Sequence, residues 1–316
     1  MAADIVDFLA ARAAGPIDRG WLRHRLTYGS FIWPAKRLLY LETPKVACST
    51  IKWCLADLSG RAPEPRPWIR ETSLAMAIHA RSEHPLPSLT TVSFKIAKQA
   101  LTSKTWTRVC VVRNPYARLY SAWAEKIREL SPRFRPLAWA IRDWDPGSAE
   151  NGSVRFSAFL RYLIAAASDE VRADTHWSPM AQFLMPDLIN YTHILRLEDF
   201  PGAFASIIAR VAPDIDALAL LARRRTNTSL PSDWRGGYDE ASAADARALA
   251  ADDFSLFGYD LDSWRTQASE PADRAWHDAV ALSVVQSRNE LIDALWSRIE
   301  ALEQALSDAR PASASP

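Results

Sequence analysis

The sequence predicts an α/β fold, a mainly parallel sheet flanked by helices on both faces, and three observations predict it. Residues 37–43, 107–113 and 191–197 form short runs with the length and side-chain content of strands. Each run is followed by a segment whose apolar residues recur at helical spacing. Strand and helix thus alternate along the chain, the order expected of parallel strands joined by crossover helices.

Taken in order, residues 1–35 carry short helical patterns with Pro16 and Pro34 as punctuation. They form an N-terminal helical extension to a main domain over 36–265. The run Arg37-Leu38-Leu39-Tyr40-Leu41-Glu42-Thr43 reads as a buried strand, stopped by Pro44. Ser49 and Thr50 are good N-cap types, and Ile51 to Leu58 continues as a helix ending near Gly60. The proline-rich stretch 61–67 is a loop. Residues 71–81 read as a helix and Thr91 to Ala97 as a strand. Thr107 to Arg113 is a β-branched strand, broken by Asn114-Pro115, and Tyr116 to Leu130 follows as a helix. Residues 131–153, rich in Pro, Asp and Gly, read as a loop before a helix over 154–167. Tyr191 to Leu197 is the third strand, with a helix from Pro201 to about Val211. Val285, Ile292, Leu295, Ile299, Leu302 and Leu306 then trace a heptad seam, so residues 272–308 form an amphipathic helix. That helix either packs on its own domain or pairs with a second copy as a short coiled coil. Residues 309–316 are expected to be disordered.

With 316 residues, 48% hydrophobic and 24% charged, the chain has the composition of a globular protein rather than a disordered one. No apolar run reaches the eighteen or so residues of a membrane span. The N-terminus, with Asp4 and Asp7, does not resemble a signal peptide. Cys48, Cys54 and Cys110 are too few for a disulfide framework and lack zinc-ligand spacing. These features predict a cytoplasmic protein. The net charge of +1 conceals a division: residues 1–126 hold 19 Lys plus Arg against nine Asp plus Glu, leaving 19 against 28 in the rest. All seven lysines fall in the basic part. Such a half suits a multiply charged anion. The basic residues are dispersed and match no nucleic-acid module, so a small polyanion is the better fit and no nucleic acid is expected.

Two segments carry chemistry. The first is the turn Pro44-Lys45-Val46-Ala47-Cys48-Ser49-Thr50-Ile51-Lys52 between the first strand and its helix. A helix N-terminus there gathers free backbone N–H groups with the positive end of the helix dipole behind them. Small residues (Ala47, Cys48, Ser49) let an anion approach the backbone. Ser49 and Thr50 add hydroxyls, and Lys45 adds a compact point charge. The glycine-rich phosphate loop GxxxxGK[ST] is absent. The turn is therefore either an anion cradle of another kind or an ordinary strand–helix junction. The second segment is Arg113-Asn114-Pro115-Tyr116-Ala117-Arg118-Leu119-Tyr120-Ser121-Ala122-Trp123. Strand ends of an open α/β sheet face the ligand crevice, so Arg113 can grip a phosphate and Ser121 can reach it from the helix. Taken alone, these residues equally suit a strand terminus and a solvated helical face.

Together the segments resemble a known family, the carbohydrate sulfotransferases of the chondroitin/dermatan 4-O- and HNK-1-type group, which has bacterial relatives. PKVACSTIK resembles that family's 5′-phosphosulfate loop, and VVRNPYARLYSAW its 3′-phosphate segment. Thr175-His176-Trp177-Ser178-Pro179, then Tyr191 to Phe200 with Glu198, and Asp253-Phe254-Ser255-Leu256-Phe257-Gly258-Tyr259 are similar to its later landmarks, in the same order. The resemblance implies a fold related to the P-loop kinases and 3′-phosphoadenosine 5′-phosphosulfate (PAPS) as the donor, without a metal. It assigns Lys45, Ser49, Thr50 and the N–H groups of Val46, Ala47 and Cys48 to the phosphosulfate. Arg113 and Ser121 go to the 3′-phosphate. Where the Golgi members carry cysteines, this chain has Phe183-Leu184-Met185. The acceptor it implies is a carbohydrate hydroxyl.

Sulfuryl transfer is an in-line displacement in which positioning and electrostatics dominate. Lys45 would stabilise the leaving nucleotide, and His176 is the candidate general base. Asp174 and Glu198 are carboxylate alternatives. The cluster Arg223-Arg224-Arg225 is either a closing clamp or a solvated helix end. Trp53, Trp106 and Trp123 read as core, whereas Trp144 and Trp234, placed in loops, read as acceptor contacts. The other readings are a small-molecule kinase of related fold and a non-catalytic nucleotide- or glycan-binding module.

Overall fold

A computed structural model describes residues 4–60, 78–79, 84–150, 153–223, 234–265 and 272–309. In chain order it opens with α1 (Ile5–Ala10), α2 (Arg19–Gly29), β1 (Ser30–Trp33), β2 (Leu38–Leu41), α3 (Cys48–Leu58) and α4 (Phe94–Thr102). Next come β3 (Thr107–Val112), α5 (Pro115–Trp123), α6 (Arg135–Trp144), β4 (Ala149–Glu150), β5 (Ser153–Val154) and α7 (Phe156–Ala165). The chain continues through α8 (Asp169–Arg172), α9 (Met180–Leu184), β6 (His193–Arg196), α10 (Phe200–Val211) and α11 (Ala217–Arg223). It closes with α12 (Glu240–Leu249), α13 (Ala251–Phe257) and α14 (Ala272–Ala309).

The chain divides into two compact units. The first comprises residues up to Leu119 with Ser168–Thr228 and Ala243–Arg265. Its sheet has the order β1-β2-β3-β6. β2, β3 and β6 are parallel, with Leu41 opposite Cys110 and Val112 opposite Arg196, and β1 pairs antiparallel with β2. Because successive side chains alternate faces, Leu38, Tyr40, Val109 and Val111 share one face. There they line a common interior with Ile51 and Leu55 of α3 and Phe204, Ile207 and Ile208 of α10. All are buried in one core. The parallel arrangement brings the chain exits after Leu41, Val112 and Arg196 to the same end of the sheet.

The second unit holds Tyr120–Ala167, Ser229–Ser242 and the C-terminal helix. Tyr120, Trp123, Phe156 and Tyr238 pack as an aromatic cluster within it, Phe156 meeting Tyr120 and Tyr238 edge to face and Trp123 tilted against Tyr120 and Phe156. The helix α14 is tied to this unit by polar groups: Gln286 donates to Arg128 O and Asn289 to Glu129 O, and Arg135 meets Asp293 at 2.6 Å. Beyond that, Leu295, Ile299, Leu302 and Leu306 of the heptad seam are exposed.

The α/β class and the three strands at 38–41, 107–112 and 193–196 match the sequence reading, and three local expectations need correction. Residues 91–97 do not form a strand: Ser93 caps α4, and Ala97, Ala100 and Leu101 are its buried face. The alternation Val92, Phe94, Ile96 is a coincidence within the first turn. The supposed loop 131–153 contains α6 and the two-residue strand β4, because Pro136 stands in the first helical turn, where it is tolerated. Ser30–Trp33, read as helical, is a strand. β6 is only partly buried, with Ile194 exposed, because a strand at the sheet edge has a single neighbour. Of the proposed helix 71–81 only Ile78 and His79 are described. Arg224, Arg225 and residues 310–316 also lie outside the described residues.

Candidate active site

The turn after β2 departs from ordinary strand–helix geometry. Lys45 and Ala47 both adopt positive φ, 70° and 60°. Left-handed backbone at a non-glycine residue costs on the order of 1–2 kcal/mol and is retained mainly at functional sites. Alternating handedness also turns successive N–H groups toward one point, the geometry of an anion nest. Ala47 is the N-cap of α3, and its side chain makes no capping hydrogen bond. Val46 is fully buried, fixing the turn from behind, and Ser49 and Thr50 are buried in the first turn of α3. Burial raises the Cys48 thiol above its ordinary range, which Lys52 and Lys45 only partly oppose, so it acts as a small neutral residue.

Arginines hold this turn in place. Arg113, at the end of β3, donates through Nη1 to Lys45 O at 3.1 Å. Arg118 on α5 is buried and donates to Pro44 O at 3.3 Å, Ser178 O at 2.8 Å and Thr175 O at 2.5 Å. Its guanidinium, pushed down to about 10 by burial, thus staples the turn to the His176 segment. The Arg118 and Arg25 guanidiniums lie 5.3 and 5.1 Å from the centre of the Phe183 ring. Arg25 in turn donates to Phe183 O and Glu42 O.

His176 is half-buried and its Nδ1 stands 2.6 Å from Asp174 Oδ1, which also accepts from the His176 N–H. Asp174, read from sequence as a rival base, is therefore the partner that orients this imidazole. Glu198 accepts from the Asn114 N–H at 2.8 Å and from the Tyr259 hydroxyl at 3.1 Å. It ties two sheet exits together. Ser121 is buried on the last turn of α5, past the boundary to the second unit. Of the tryptophans, Trp53, Trp106 and Trp123 are buried as expected, and Trp144 is exposed but ends α6 instead of lying in a loop. Trp234 sits in a 3-10 turn with Arg235 over its ring at 4.3 Å.

The sequence reading missed a buried polar group beneath the turn. Lys52, 2% exposed, pairs with Glu42 Oε2 at 2.7 Å and meets His79 Nδ1 at 2.6 Å, while His79 Nε2 meets Ser49 Oγ at 2.7 Å. Burial works against ionisation of Glu42, but the Lys52 and Arg25 charges overcome it and lower its pKa to about 2. Glu42, Cys48 and His79 also bring three potential metal ligands within 4.8 Å of one another. The Lys52 ammonium already supplies a positive charge to two of them.

Residues 28–260 match the model of the sulfotransferase family. Human carbohydrate sulfotransferase 9 is 30% identical over 179 residues, 54% of this chain and 36% of that protein. Human carbohydrate sulfotransferase 8 is 30% identical over 184 residues, 56% of this chain and 39% of that protein. Human carbohydrate sulfotransferase 14 is 26% identical over 273 residues, 80% of this chain and 64% of that protein. The matches thus span under two fifths of the first two relatives. No solved structure matches the chain significantly. With a family match that covers most of its length, over the same residues that build the sheet and the strained turn, this chain belongs to the sulfotransferase family.

Proposed function

We propose that the protein transfers a sulfuryl group from PAPS to a hydroxyl of a carbohydrate acceptor. The observation that carries this reading is the Lys45–Thr50 turn, whose positive-φ residues and alanine N-cap suit the phosphosulfate end of such a donor. Family membership and the names of the relatives support the donor and acceptor classes. In the reaction the acceptor oxygen attacks sulfur, and the bond from sulfur to the bridging phosphate oxygen breaks. The acceptor proton passes to His176, and the products are a sulfate ester and adenosine 3′,5′-bisphosphate. Asp174 engages Nδ1, so Nε2 is the nitrogen assigned to take that proton. Lys45 answers the charge that builds on the leaving oxygen. Arg113 and Ser121 are assigned to the 3′-phosphate, Arg113 also bracing the Lys45 carbonyl.

A kinase reading is not favoured: the turn has no glycine, whereas nucleotide kinases use a glycine-rich loop. We further place the protein in the cytoplasm, where its three free cysteines would stay reduced. We also propose that it pairs through the exposed seam of α14. The test of function is incubation with sulfur-labelled PAPS and a panel of glycans, phenols and peptides, with products identified by mass. Label on a glycan hydroxyl is expected. Label confined to phenols or peptide side chains would overturn the carbohydrate assignment.

A further inference from the structure

We propose that His79 is a positioning residue of the donor site, the middle of a buried chain that orients the Ser49 hydroxyl toward the bound phosphosulfate. The chain runs from Glu42 Oε2 to Lys52 Nζ (2.7 Å), from Lys52 Nζ to His79 Nδ1 (2.6 Å), and from His79 Nε2 to Ser49 Oγ (2.7 Å). Its direction follows from donor and acceptor capacity. An ammonium has three N–H donors and no lone pair, so His79 Nδ1 must accept. A neutral imidazole that accepts at Nδ1 carries its hydrogen on Nε2, so His79 donates and Ser49 Oγ accepts. The Ser49 hydrogen is then committed to a different acceptor. Ser49 sits in the first turn of α3, immediately after the positive-φ residues Lys45 and Ala47. An anion seated in that turn supplies the acceptor.

The arrangement is built for permanence. Lys52 is buried, with the Phe31 ring 5.5 Å from its ammonium, and Glu42 balances its charge. The ammonium therefore selects one imidazole tautomer. With the opposite tautomer Ser49 would spend its hydrogen on His79 and present only lone pairs to an anion. Nothing in the sequence pattern announces this: His79 lies 30 residues after Ser49 and is brought back to it by the fold.

The proposal rests on the donor reading above, and its test separates the two. Adenosine 3′,5′-bisphosphate is titrated calorimetrically into the wild type, Ser49→Ala, His79→Ala and the double variant. Each single change is expected to weaken binding about tenfold, the scale of one lost hydrogen bond to a charged group. The double variant should lose about tenfold as well, not a hundredfold, because both changes remove the same interaction. His79→Gln, whose amide offers an acceptor and a donor side by side, should recover binding to within about threefold of wild type. Adenosine 3′-monophosphate, which lacks the 5′ group, should bind wild type and His79→Ala alike. If His79→Ala does not fold, His79→Leu takes its place in the cycle. Losses that multiply, failure of glutamine to rescue, or an equal loss with the monophosphate would each overturn the role of His79 while leaving the donor assignment standing. A wild type that binds no bisphosphate removes the donor reading and this proposal with it.

Discussion

Lys45 and Glu42 show how single residues near the turn divide the work. Lys45 stands in strained backbone and is assigned to the reacting group, so Lys45→Ala should leave nucleotide binding within a few-fold of wild type and lower turnover about a hundredfold or more. Single-turnover assays at saturating donor would read the loss. Glu42 lies beneath, and its charge serves stability. Its folded-state pKa of about 2 is below the ordinary value of 4.5. The ionised form is therefore favoured by folding, a contribution complete above pH 4.5 and lost as pH falls toward 2. Glu42→Gln leaves Lys52 buried without its counter-charge and should cost about 3 kcal/mol at neutral pH. Thermal melts against pH should show the two proteins converging below pH 4.5. Lys45, Ser49 and Arg113 were legible in the sequence because they lie beside strand ends, in segments with a recognisable order. His79 and the stapling role of Arg118 were not, because each acts through contacts with segments 27 to 74 residues away.

At the scale of elements, caps and seams decide the local structure. The short helix α9 has no cap of its own at Pro179. Instead Asp253, from the start of α13, accepts from the N–H groups of Met180 and Ala181 at 2.8 Å each. Burial raises its carboxyl despite nearby Arg118. Asp253→Ala strands both donors and should destabilise the protein by about 2–3 kcal/mol, measurable by denaturant titration. α14 makes the opposite case, since its heptad seam was plain in the sequence and is exposed along Leu295, Ile299, Leu302 and Leu306. Wild type should sediment as a dimer, and Ile299→Asp with Leu302→Asp as a monomer that still binds nucleotide. A monomeric wild type would remove the coiled-coil proposal. α4 and α6 were misread for a shared reason. Local alternation and proline content dominated a short window, whereas Ser93 as a cap and Pro136 in a first turn both allow helices.

For the molecule as a whole, the sheet organises the chemistry. Parallel β2, β3 and β6 send the Lys45 turn, Arg113 and Glu198 out at one end, and Arg118 ties the turn to the His176 segment. The concentration of lysine and arginine in residues 1–126 puts positive charge in the part of the chain that supplies the turn. In the proposed function this turn binds the phosphosulfate end of an activated sulfate nucleotide. Calorimetric titration of wild type and Lys45→Ala with adenosine 3′,5′-bisphosphate, and separately with ATP and magnesium, tests it most directly. Wild type is expected to bind the bisphosphate without metal and in preference to ATP, with no acceptor present. Binding of magnesium–ATP with no response to the bisphosphate would contradict it.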